Sequence, residues 1–131
     1  MEKQSTSKGI VAEKGSDKVD SSQAHGKLFR NAFKMRLKPG CKAEYKKRHD
    51  EIWPELSQTL TDAGISDYSI YLDEETDTLF AFQKLAPNHT AHDLPKNPIV
   101  RKWWDYMADI MDYNSDNTPV AIHLEEMFHM D

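Results

Sequence analysis

The order in which hydrophobic periods succeed one another restricts this chain more than any total does. Residues 28–37 alternate, with Phe29, Asn31, Phe33, Met35 and Leu37 on one face and Arg30, Lys34 and Arg36 on the other. Period two means a strand, and Pro39-Gly40 ends it. The period then becomes helical from about Cys41: Tyr45, His49, Ile52, Leu56 and Leu60 recur along one stripe, with Gly64 as a natural stop. Ile65–Leu72 alternates again, setting Tyr68, Ile70 and Leu72 against Asp67, Ser69 and Tyr71. An acidic turn, Asp73–Asp77, separates it from a third strand at Thr78–Leu85. Residues 87–98 contain three prolines and read as a loop with a short helical turn. From Ile99 to Met111, Val100, Trp103, Trp104, Met107 and Met111 fall at helical spacing. A polar turn, Asn114–Thr118, leads to a last strand, Pro119–Phe128.

The order β-α-β-β-α-β is the split βαβ pattern. It predicts an α+β, ferredoxin-like subunit: an antiparallel four-stranded sheet with both helices on one face. The strands are apolar on both faces, most clearly at Leu79-Phe80-Ala81-Phe82. The helices cover one face, and a second copy of the sheet is the simplest cover for the other. A homodimer packed sheet on sheet is therefore expected.

The hydrophobic share, 38%, lies below the usual figure of about 45–50%. Residues 1–27 explain part of the deficit, being rich in Ser, Lys, Gly, Asp and Gln. Such a stretch buries too little to offset its ordering entropy. It reads as a disordered polar leader before a single domain at 28–131. A net charge of −5 argues against nucleic acid or an anionic membrane as partner. No apolar run approaches the roughly 18 residues of a membrane helix, and the one cysteine, Cys41, suits a reducing, cytoplasmic location.

Candidate chemistry centres on Tyr45–Leu56, YKKRHDEIWPEL. Tyr45 and His49 stand one turn apart on one helix face. Pro54 has no N–H to give and its ring opposes the carbonyl of Asp50, so the helix must break and restart there. An imidazole with an ordinary pKa near 6.5 is the natural proton carrier at neutral pH, and the phenol can orient it or bind substrate. Trp103 and Trp104 point about 100° apart, so one packs in the core while the other can form an aromatic wall suited to a sugar face. Tyr68 reads equally as core, interface or site. His89 with His92, and His123 with Glu125 and His129, lack a third ligand at a metal spacing, and nothing places a histidine beside Cys41.

The segments YKKRHDEIWPEL, DYSIYLD, WW followed by YMADIM, and NSDNTPV together resemble the L-rhamnose mutarotase family, from about Phe29 to Phe128. Residues 87–98 depart from it most. The resemblance implies a dimeric α+β barrel that interconverts the α and β anomers of L-rhamnose without a cofactor. It implies that His49 is the proton donor, that Tyr45 and Tyr68 bind the sugar, and that Trp103 and Trp104 complete the pocket. Two other readings fit the same aromatics: a dimeric barrel monooxygenase, and a sugar-binding module without turnover.

Overall fold

The computed structural model describes residues 27–131, so the leader read over 1–27 lies outside the described residues but for Lys27. Four strands make one antiparallel sheet: β1 (Phe29–Arg36), β2 (Ile65–Asp73), β3 (Thr78–Leu85) and β4 (Ile122–Leu124), in the spatial order β2-β3-β1-β4. This is the strand order of a split βαβ unit. Three helices accompany it: α1 (Lys42–Asp50), α2 (Pro54–Asp62) and α3 (Pro98–Met107), with a 3₁₀ turn at Ala91–Lys96 before α3.

The alternation in β1 sorts its faces as the pattern requires. Asn31, Phe33, Met35 and Leu37 are buried, as are Leu79, Ala81, Gln83 and Leu85 on β3. These pack with Tyr45, Leu56, Val100, Trp103 and Met107 from the helices. Leu56 is 2% exposed, and full burial of such a side chain contributes about 1.5–3 kcal/mol; it anchors α2. One polar pair sits in this apolar layer. Asn31 and Gln83 face each other across β1 and β3, and Asn31 Nδ2 donates to Gln83 Oε1 at 2.9 Å, which limits the desolvation cost of both amides.

Pro54 acts as expected. The helical run divides at Glu51–Trp53, and Pro54 opens α2 behind an extended Trp53 (φ −63°, ψ 129°). Gly64 ends α2 with φ +93°, and a Cβ there would lie 2.9 Å from His89 Cβ. Both the left-handed backbone and the close approach require glycine.

Two boundaries differ from the sequence reading. The third helix stops at Met107 rather than Met111. Lys38 N–H bonds to the Ile110 carbonyl, Asp112 N–H to the Arg36 carbonyl, and Met111 bridges Leu37. The free edge of β1 thus takes these backbone groups away from the helix, and Met111 is buried against the sheet. The last strand spans Ile122–Leu124, not Pro119–Phe128. With the far end of β1 already paired to residues 110–112, only Ala32–Lys34 remains for β4. Beyond it Met127 and Phe128 are exposed, and a two-point ion pair from Arg30 to Glu126, at 3.0 and 3.2 Å, tethers the tail. β2 also carries a bulge between Ser66 and Ser69, with Asp67 at φ +48°, so two residues of β2 oppose Gln83 on β3.

Candidate active site

α1 brings Tyr45 and His49 together as helical geometry demands. Their rings stack at 4.2 Å between centroids with a 29° tilt. Trp103, from the buried stripe of α3, meets the His49 ring edge-on at 5.4 Å and 89°. Trp53, held extended before Pro54, meets Trp103 edge-on at 5.1 Å and stacks on Tyr106 at 5.6 Å. Arg48 locks α1 to the end of α3. Its guanidinium donates to Glu44 Oε2 and the Tyr106 carbonyl at 2.7 Å and to Asp109 Oδ1 at 2.9 Å, and lies 4.4 Å from the Tyr106 ring centroid. Four restraints on one side chain hold the imidazole and the indole at a set angle.

The electrostatics of the site favour neutral groups. Desolvation lowers the His49 pKa, more than the Tyr45 carbonyl and Asp50 raise it. His49 Nδ1 lies 3.1 Å from the Tyr45 carbonyl; a carbonyl only accepts, so Nδ1 carries the hydrogen. The neutral ring therefore keeps its lone pair at Nε2. Burial, with smaller contributions from the Tyr68 and Tyr113 phenols, pushes Tyr45 well above the usual phenol range. Tyr68 leaves 40% of its surface exposed, yet desolvation of its hydroxyl pushes that phenol up to about 12. Strand alternation through Ile70 and Leu72 turns Tyr68 toward the helices. Both phenols thus remain hydrogen-bond donors at neutral pH.

The sequence-predicted residues do not all meet. Tyr45, His49 and Trp103 form one contact set, and Tyr68 lies in electrostatic range of Tyr45. Trp104 is half-buried and faces Arg101, whose Cζ lies 5.5 Å from its ring centroid; its ring contacts do not include His49. The α3 stripe thus separates the adjacent indoles, burying Trp103 and leaving Trp104 beside the rim. Sequence reasoning missed Trp53 and Tyr106. The place of Trp53 before a proline was a signal for its extended backbone; nothing local marked its contact with Trp103. Of the other histidines, His89 accepts the Ala91 N–H at Nδ1, 3.1 Å, and its ring lies 6.1 Å from that of His92. Among the described residues no three His, Cys, Asp or Glu side chains group as metal ligands.

A family profile described as L-rhamnose mutarotase matches residues 30–130. The chain belongs to the L-rhamnose mutarotase family. An L-rhamnose mutarotase from Formosa agariphila is 60% identical over 104 residues, 79% of this chain and 100% of that protein. One from Bacteroides thetaiotaomicron is 62% identical over the same shares. A crystal structure of the Formosa agariphila L-rhamnose mutarotase superposes with a TM-score of 0.73 at 59% identity, over 79% of this chain and 99% of that one. Membership in the mutarotase family decides against the monooxygenase and the passive sugar-binding module.

Proposed function

We infer that this chain is an L-rhamnose mutarotase in which His49 moves the proton. The contact of His49 with Tyr45 and Trp103, in a chain of this family, carries the reading. Ring opening requires the anomeric hydroxyl to lose a proton while the ring oxygen gains one and its bond to the anomeric carbon breaks. Rotation about the adjoining C–C bond and the reverse proton movements then close the other anomer. Both oxygens sit on the anomeric carbon, so one nitrogen can serve each in turn. Neutral His49 takes the anomeric proton at Nε2 and delivers a proton from that same nitrogen to the ring oxygen. Its lowered pKa makes the loaded ring a good donor.

Tyr45 and Tyr68 hold the sugar hydroxyls as neutral donors. Trp103 and Trp104 supply the apolar surface for its C–H face and its C6 methyl. An apolar contact of this size separates rhamnose from its 6-hydroxy relative by only about 1–3 kcal/mol, so strict selectivity is not built in.

The functional unit in this proposal is a homodimer forming an α+β barrel. The sheet face away from the helices exposes Phe82 at 45%, Tyr71 at 65% and Ile122 at 49%, and Tyr71 and Phe82 pack edge-on at 6.0 Å. A second copy of the same face covers these groups symmetrically. A cytoplasmic location belongs to the same proposal, since Cys41 is a free thiol. No helix among the described residues is long and apolar enough to cross a membrane.

Saturation transfer between the anomeric protons of L-rhamnose tests the activity. The wild-type protein should accelerate exchange, and His49→Asn should reduce that acceleration by roughly 10²-fold or more. Equal acceleration by the variant removes His49 from the role.

A further inference from the structure

We propose that Tyr113 is an additional sugar-contacting residue, its hydroxyl donating a hydrogen bond to a pyranose hydroxyl held beside Tyr45. The proposal deepens the mutarotase reading above and rests on it.

The backbone sets the direction of the side chain. Met111 bridges Leu37 at the end of β1, Asp112 N–H bonds to the Arg36 carbonyl, and Tyr113 bridges Pro119. Residues 111–113 thus prolong the sheet, and Tyr113 takes the same face as the buried Met111. That face looks toward the helices. The Tyr113 ring accordingly packs against the cluster that contains Tyr45 and Trp103.

The hydroxyl is the anomaly. It is buried and has no hydrogen-bond partner among the described residues. Buried polar groups in folded proteins are nearly always paired, so one left without a partner needs an explanation. Burial first, then the carboxylates of Asp105 and Asp109, push the phenol pKa upward. Tyr113 therefore stays protonated and offers a donor. The same carboxylates disfavour an anionic occupant. The fitting occupant is uncharged and presents an acceptor oxygen, which describes a sugar hydroxyl. Tyr68 and Tyr113 both act electrostatically on Tyr45. They reach it from opposite sides of the sheet order, one on β2 and the other beyond β1, so three phenols converge from different elements on one small volume.

Tyr113→Phe removes the hydroxyl and keeps the ring. Titration calorimetry with L-rhamnose, anomer exchange and thermal unfolding should be measured on wild type and variant. The expected result is a roughly three- to tenfold rise in Kd and KM for rhamnose, the scale of one net hydrogen bond. kcat should stay within about twofold and the unliganded Tm should be unchanged or higher, because an unpaired group has been removed. Unchanged sugar affinity with a lowered Tm overturns the proposal, since the hydroxyl then has a structural partner. Unchanged affinity with an altered association state overturns it too, by placing the hydroxyl at the interface between copies. Failure of the wild-type protein to bind or exchange rhamnose defeats the mutarotase reading itself, and is visible before any variant is made.

Discussion

His49 couples position and protonation in one residue. Its Nδ1–H is held by the carbonyl one helical turn back, and its ring is half-buried against Tyr45 and Trp103. The folded-state pKa lies below 6.5 because the charged form is desolvated. The neutral ring is the form that begins the proton shuttle, so kcat for anomer exchange should be flat near pH 7–8. It should fall on acidification, with a midpoint below about 6.5. A rate–pH profile corrected for uncatalysed exchange reads this directly; a kcat that rises on acidification would require the imidazolium as the starting form. The stability sign agrees: the folded state binds fewer protons at His49, so its contribution is intact above about pH 6.5 and lost as pH falls below it. Side-chain spacing alone placed Tyr45 and His49 on one face, because a residue and its fourth neighbour meet in any α-helix. Their meeting with Trp103 joins residues 54 apart in sequence, and no local period encodes that.

At the scale of elements, the pieces that carry the site are defined by their ends. Pro54 divides what would be one helix, and the break leaves Trp53 extended and close to Trp103. α3 begins on Asn97, whose Oδ1 accepts the N–H groups of Ile99 at 2.9 Å and Val100 at 3.3 Å, with Pro98 as the first helical residue. This cap starts the helix bearing Trp103 and Trp104. Asn97→Ala should lower unfolding stability by about 1 kcal/mol, measured by chemical denaturation, with the slope against denaturant unchanged. A loss below about 0.3 kcal/mol would show that packing alone fixes the start of α3. The sequence reading began α3 one residue late and ended it four late. The end was illegible because Met111 continues the apolar stripe, yet its backbone is captured by the β1 edge. β4 was overread for the complementary reason: alternation over residues 119–128 persists where no strand remains to pair with.

The whole molecule presents a sheet with one face covered by helices and one bearing exposed Phe82, Tyr71 and Ile122. Such a patch on an otherwise polar chain is the mark of an interface. Phe82→Asp should convert a dimer to a monomer in light scattering at micromolar protein while leaving far-ultraviolet dichroism unchanged. Asp at this site would put two like charges near each other across a symmetric contact. A protein whose mass matches one chain before the substitution would remove the second copy as the cover.

Element order, the antiparallel split βαβ topology, the break at Pro54 and the shared face of Tyr45 and His49 were all set by the sequence alone. Each depends on periods and on residues whose local conformational preferences are strong. Tertiary structure decided the rest. It separated Trp103 from Trp104, brought Trp53 and Tyr106 in beside the imidazole, and made Arg48 a clamp between α1 and α3. It also desolvated the phenols of Tyr45, Tyr68 and Tyr113. Burial and long-range contact belong to the packed layers, and no stretch of chain carries them before those layers meet.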